Sequence, residues 1–143
     1  ELFFEQAKKK NIGILARVPL ASGLLTGKYT QKTTFSAGDH RNFNRSGAAF
    51  DKGETFSGID YNIGLSAVEE LKNIFSDKDI SLIALKWILM FPEVSCVIPG
   101  ASKPEQLTSN LNSLSIPDLS ADDMKKIKQV YDSKIKGLVH QLW

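Results

Sequence analysis

The run "VIPGASKPEQLTSN", from Val97 to Asn110, holds the residues of this chain best suited to gripping an anion. An apolar, β-branched segment stops at Pro99-Gly100, and a polar helix with an early proline restarts within a few residues. Gly100 has no Cβ to block close approach, and the first turn of a helix offers free N–H groups and the positive end of its dipole. Such a turn suits a phosphate. Ser102 adds a hydroxyl and Lys103 a charge, while Gln106 and Asn110 stand four apart on one helical face, able to hydrogen-bond a planar polar group such as an adenine. The same spacing also describes a capped helix whose Gln and Asn are merely solvated.

A second polar cluster, "PLASGLLTGK" from Pro19 to Lys28, follows another apolar run, and "GDHR" at Gly38 to Arg41 comes soon after. Lys28, Arg41 and Lys103 could converge on one highly charged phosphate, or each could be a solvated surface charge. "GLLTGK" is not a P-loop. Its glycines, Gly23 and Gly27, stand one residue too close together, and Tyr29 occupies the place of the magnesium-binding Ser or Thr. No G-x-G-x-x-G is present, so a Rossmann site has no support. His40 and His140 lie a hundred residues apart with no Cys or carboxylate at ligand spacing, which argues against a metal. There is no serine elbow, and Cys96 sits in an apolar run without an activating partner. The catalytic inventory is empty.

The elements that must position these clusters are legible. Leu2, Phe3 and Ala7 line one side of a short helix that ends in Lys8 to Lys10 and at Asn11, a usual stop signal. "IGILARV" is an apolar stretch of strand length. From Thr30 to about Asn62 the pattern lapses into a polar stretch with Gly38, Gly47, Gly53 and Gly58 and no sustained period. A loop of that length reads as a lid, a binding loop or disorder. From Gly64, an apolar repeat through Leu65, Val68, Leu71, Ile74 and Phe75 predicts an amphipathic helix. Ser81 can cap the next helix, "LIALKWILMF", which is apolar nearly all round and should be buried, ending before Pro92.

"VSCVI" is a second strand, in which Cys96 reads as a small buried side chain. Ser102 and Glu105 have capping-box spacing, with Pro104 in the first turn. A last helix starts at Ser120 with Asp123 at the third position and a buried stripe of Met124, Ile127, Val130 and Tyr131. The tail "IKGLVHQLW" has no clear period. Apolar strands separated by helical crossovers argue for parallel pairing in an α/β sheet or barrel. Two strands cannot close a barrel, so further strands belong upstream or in a partner chain.

At 143 residues and 42% hydrophobic the chain can bury one core of ordinary size. A formal charge of +2, with no basic stripe, gives no footing for nucleic acid. One cysteine excludes an internal disulfide, and no apolar segment approaches the ~20 residues that span a bilayer. Because the first residue is Glu1, in mid-helix style, the sequence reads as a single partial domain, 1–143, of a longer chain.

"IGILARVPLASGLLTGKY", "GETFSGIDYNIGLSAVEELK", "LIALKWILMFPEVSCVIPGASKPEQLTSNL" and "VYDSKIKGLVHQLW" together resemble the carboxy-terminal part of the aldo-keto reductases, in the bacterial branch related to potassium-channel β subunits. The resemblance covers essentially the whole chain, and "IPGAS" followed by Gln106 and Asn110 is its most specific part. It implies the carboxy-terminal portion of a (β/α)8 barrel, incomplete on its own. Residues 1–10 would belong to the sixth helix, "GILARV" would be strand seven, "VSCVI" strand eight, and the final helix an appended one. Phosphate sites in such barrels lie in the loops after strands seven and eight.

By resemblance, the turn at Gly100 holds the 2'-phosphate of NADPH through Gly100, Ser102, Lys103 and Gln106, with Asn110 at the adenine. Pro19, Leu20, Ala21, Ser22 and Gly23 lie along the pyrophosphate, Lys28 is a phosphate contact, and Arg41 a looser match. The 30–62 loop lies on the cofactor side. Ser109 stands where a glutamate often precedes the asparagine, putting one adenine contact in doubt. The implied activity is NADPH-dependent reduction of aldehydes or ketones in a cytoplasmic protein. The family's tyrosine, lysine, aspartate and histidine lie in the first half of the barrel, so Tyr29, Tyr61, Tyr131 and His140 do not take their roles. The implied partners are a carbonyl substrate, the missing amino-terminal half and, for the isolated chain, itself. An NADPH-holding regulatory module with little turnover, or an inactive fragment, are the alternatives.

Overall fold

The computed structural model describes residues 2–142. Helix α1 (Leu2–Lys9) ends in a basic last turn and stops at Asn11, which takes the left-handed conformation a helix terminus favours, φ 53°. Ala7 is its buried residue; Phe3 faces solvent at 64% exposure, contrary to the expected stripe, and Phe4 instead packs on the Phe91 ring at 5.8 Å. The side chain of Leu2 lies outside those described.

Strands β1 (Ile14–Arg17) and β2 (Val94–Ile98) pair in parallel, in a register that sets Arg17 against Ile98. The register shifts between Ile14 and Leu15, where the Ile14 N–H donates to Ser95 Oγ at 3.2 Å. With only two strands in the sheet, Leu15 (63%) and Ile98 (51%) stay exposed. Cys96, expected in a buried strand, is exposed, the sheet face it projects from being left open among the described residues.

The 30–62 stretch is not structureless. Asp39 caps a single turn, α2 (His40–Phe43), by accepting from the Arg41 N–H. Asn44, fully buried, accepts from the Ala49 and Phe50 N–H groups, both at 2.9 Å, and donates to the Asp51 carbonyl and to Thr55 Oγ1. Phe56, also fully buried, packs among Phe35 and Tyr61. A periodicity search misses this order because one amide and one ring organise it, rather than a repeat.

Helix α3 (Tyr61–Ile74) begins before the apolar repeat does, because Asp60 Oδ1 accepts from the Asn62 and Ile63 N–H groups. Helix α4 (Ile80–Leu89) is capped by Asp79, not Ser81; the Ser81 N–H and Oγ–H both donate to Asp79 Oδ1. Asp79 precedes the first helical residue, so its carboxylate faces the free Ser81 N–H and favours the positive end of the helix dipole, while Ser81 already lies inside the first turn. Although α4 is apolar nearly all round, only Ile80, Ile83 and Leu85 are buried and Leu89 is exposed, since one side of it has no cover.

Helix α5 (Pro104–Leu111) follows β2, with Pro104 at its first position as expected. Helix α6 (Ala121–Val130) opens on the reciprocal Ser120–Asp123 box read from the sequence and then widens into a π-type turn over Tyr131–Ile135. Val130 is buried, while Met124, Ile127 and Tyr131 are half-buried. The unpatterned tail continues as α7 (Lys136–Val139), docked by one side chain, Val139, 3% exposed.

Two apolar clusters hold the chain together. Leu24, Phe56, Ile59, Tyr61, Val68 and Val139 form one; Phe75, Ile80, Ile83 and Leu119 form the other. Both join helices and loops, and neither contains a strand residue.

Candidate functional site

Because β1 and β2 are parallel and Arg17 pairs with Ile98, the two segments singled out by chemistry leave the sheet at the same edge. After β1 the backbone is strained: Val18 (φ 50°), Ala21 (φ 47°) and Ser22 (φ 57°) all adopt positive φ, followed by Gly23 at 91°. A β-branched residue there is a real outlier, and such strain persists only where surrounding contacts overdetermine it. Those contacts come from the long loop. Arg17 pairs bidentately with Glu54, at 3.1 and 2.7 Å, and Ser22 Oγ accepts from the Phe56 N–H at 3.3 Å while donating to the Glu54 carbonyl at 3.4 Å. The loop side is strained as well, with Phe56 and Ser57 at φ 50° and 56°.

Arg41 is fixed at this edge. Its Nη1 donates to the Tyr29 hydroxyl at 2.5 Å and approaches the Ser22 carbonyl at 3.5 Å, and its guanidinium lies over the Phe35 ring, 4.7 Å from the centroid. Nε and Nη2 hold Asp39, and the resulting hydrogen bond keeps the Asp39 carboxyl down near about 2 while raising the Arg41 pKa. A Cβ on Gly23 would collide with the Tyr29 hydroxyl, so glycine is required there by space as well as by φ. Pro19 is buried and faces away, into an apolar groove that Leu25 and α4 also line; Leu20 and Ala21 are half-buried.

After β2, Gly100 has no positive φ, and a Cβ built on it meets nothing within 4 Å. Nothing inside the chain demands glycine, so the space above it is free for a ligand. The cap of α5 differs from the expected Ser102–Glu105 box. Gln106 Oε1 reaches back and accepts from the Ser102 N–H (2.7 Å), the Ser102 hydroxyl (3.1 Å) and the Lys103 N–H (3.2 Å). Glu105 sits one residue too early to face those donors. Three donors thus converge on one oxygen beside an open glycine, the arrangement a phosphate oxygen would meet, and the residues fit an anionic group. Asn110 is half-buried one turn further along α5, with its carbonyl accepting from Ser113 Oγ–H at 2.7 Å.

The predicted residues therefore fall into two sets. Ser22, Gly23 and Arg41 share one network; Gly100, Ser102, Lys103 and Gln106 share the other, with Asn110 beside it. Among the described residues no hydrogen bond or ion pair links the sets, and Lys28 and Lys103 are exposed without a carboxylate partner. Sequence reading missed Arg17, Glu54, Tyr29 and Asp39. Asp39 had a signal, since it precedes Arg41 by two residues in "GDHR"; Arg17 and Glu54 are too far apart to be paired without the fold. Among the described residues no group of His, Cys, Asp and Glu could hold a metal, and no helix is long and apolar enough to cross a membrane.

The model of the aldo/keto reductase family matches residues 1–132. The chain belongs to the aldo/keto reductase family. Among its relatives in that family, a probable voltage-gated potassium channel subunit beta of Oryza sativa is 33% identical over 133 residues, covering 87% of this chain and 37% of that protein. The aldo-keto reductase YhdN of Bacillus subtilis is 31% identical over 93% of this chain and 38% of its own length. An L-glyceraldehyde 3-phosphate reductase of Escherichia coli is 30% identical, over 85% and 34%. The structure of the glycerol dehydrogenase AKR11B4 from Gluconobacter oxydans superposes with a TM-score of 0.70 at 25% identity, covering 92% of this chain and 38% of that one. The chain thus spans 34–38% of these aldo-keto reductase relatives, and its α/β architecture is a portion of theirs.

Proposed function

We propose that this chain is the carboxy-terminal, cofactor-binding portion of an NADPH-dependent reductase of aldehydes or ketones, with β1 and β2 as the seventh and eighth barrel strands. The observation that carries this reading is the convergence of the Ser102 and Lys103 N–H groups and the Ser102 hydroxyl on one acceptor oxygen beside Gly100. A 2'-phosphate suits those donors, and Lys103 and Lys28 add charge that a neutral 2'-hydroxyl would not use. Asn110 would meet the adenine. Ala21, Ser22 and Gly23, fixed by Arg41 and the Glu54–Phe56 segment, would run along the pyrophosphate with Leu20, Pro19 bracing them from beneath. When bound, NADPH supplies the hydride; the proton donor and its supporting groups come from polypeptide outside these residues.

The likeness to a channel β subunit favours a second reading, in which NADPH is a held regulatory ligand and turnover is slow. Both readings share the test. In the intact polypeptide, Lys103→Ala should weaken NADPH binding by about tenfold or more while leaving NADH nearly unchanged, as expected for one lost charge-assisted contact. Fluorescence titration of the two reduced cofactors measures it, and equal losses for both would remove the 2'-phosphate from this turn.

A further inference from the structure

Five of the six non-glycine residues with positive φ among those described, Val18, Ala21, Ser22, Phe56 and Ser57, lie in two facing turns. Strain so concentrated persists only while the surroundings overdetermine it. The Phe56 N–H, donating to Ser22 Oγ, joins the two turns. Phe56 is fully buried, in the apolar cluster that also takes Leu24 from the turn after β1 and Val139 from the carboxy-terminal tail. A Cβ built on Gly58 would lie 3.9 Å from Val139 Cγ1, so the tail residue stands against the Phe56–Gly58 turn itself.

The tail is pinned in that position from three sides. Ile135, at the end of the π-type turn that follows α6, packs on the same cluster. Lys134 ties this turn to α3, donating to Ser66 Oγ at 3.1 Å and pairing with Glu70 at 3.3 Å. The Tyr131 hydroxyl and His140 Nδ1 share a hydrogen bond of 2.8 Å, which folds the residue after Val139 back onto the start of the π-type turn. Helix defects of this kind are frequent at functional sites.

We propose that Val139 is a positioning residue for the dinucleotide's pyrophosphate. It props Phe56, and Phe56, through Ser22 Oγ, holds the Ala21–Gly23 backbone in its strained shape. The inference rests on the cofactor reading above and adds that the tail sets how much of the protein is ready to bind. When a binding-competent shape is populated only in part, the apparent dissociation constant rises by the inverse of that fraction. NADPH and NADH share the pyrophosphate, so loss of the prop weakens both alike, unlike the loss of Lys103.

The test is cofactor titration of the intact polypeptide. Val139→Ala should raise the dissociation constants of NADPH and NADH by the same factor, about tenfold, with the amount bound at saturation unchanged. In a Ser22→Ala background the same change should add less than about twofold, because the link it acts through is already cut. Leu119→Ala, which opens the other apolar cluster, should leave both affinities within about twofold. Tyr131→Phe, which removes the hydrogen bond to His140, should weaken both cofactors in the same direction as Val139→Ala. Normal affinities in a folded Val139→Ala protein would overturn the inference. So would a loss confined to NADPH, full additivity with Ser22→Ala, or an equal loss in Leu119→Ala. Wild-type protein that binds neither cofactor sinks the cofactor assignment and this inference with it, whereas wild-type binding that ignores Val139→Ala sinks this inference alone.

Discussion

Arg41 holds Asp39 with two arms of its guanidinium, Nε to Oδ1 at 2.9 Å and Nη2 to Oδ2 at 2.5 Å, while the same carboxylate caps α2. The pair lies largely shielded, at 28% and 19% side-chain exposure, and ties the long loop to the strained turn after β1. The Asp39 carboxyl titrates at 3.8 when free and at about 2 when folded, chiefly because of the Arg41 hydrogen bond. A depressed acid stabilises the fold above its free pKa and loses that contribution as pH falls through its folded pKa. Asp39→Asn should therefore cost of order 2 kcal/mol at neutral pH and flatten the acid limb between about pH 4 and pH 2. Urea midpoints measured across that range check it; an unchanged acid limb would show that the pair does not matter to folding.

The two glycines of the site should part company. Gly23→Ala meets both a φ of 91° and the Tyr29 hydroxyl, and should lose about 1–3 kcal/mol of stability. Gly100→Ala meets nothing within 4 Å and should change stability by less than about 0.5 kcal/mol while sharply weakening NADPH binding in the intact polypeptide. Thermal denaturation and cofactor titration of both variants give the four values needed.

Gln106→Glu offers a cleaner separation of fold from binding. A carboxylate near the start of α5 accepts the same Ser102 and Lys103 donors and is favoured by the helix dipole, so the variant should match or exceed the wild-type melting temperature. Its negative charge should repel a phosphate and lower NADPH affinity at least about tenfold. Tight NADPH binding by a well-folded Gln106→Glu protein would rule out an anion at these donors.

Arg17 and Glu54 form a well-aligned pair in an exposed setting, at 68% and 41% side-chain exposure. A double-mutant cycle to Met and Gln should give a coupling below about 1 kcal/mol, shrinking further with salt. The larger effect should be local. Protease cleavage between Lys52 and Gly58 should accelerate in either single variant, because the contact that clasps this segment to β1 is gone. Unchanged cleavage would assign the clasp to Ser22 alone.

Both strands, their parallel pairing and the helices that flank them were legible because each carries a repeat or an unbroken apolar run. The Ser120–Asp123 cap was legible because both partners lie within one turn. What escaped depends on groups far apart in the chain or on a choice between neighbours. Asn44 organises a loop through four hydrogen bonds that leave no period. Ser81 and Asp79 are both competent caps, and only geometry chooses between them. Cys96 and Phe3 were misjudged for a shared reason: an apolar residue on a strand or helix reads as buried, and whether anything packs on it is a tertiary fact that local pattern does not carry.

That both apolar clusters bypass β1 and β2 has a kinetic consequence. In most α/β proteins the central strands are the last amides to exchange with deuterated water, being enclosed by everything else. Here the ranking inverts: the strand amides sit on the outside of the cooperative unit, and the slowest protons should belong to α3 and α4, around Val68 and Ile83. The sheet of this chain is the rim of its cooperative unit.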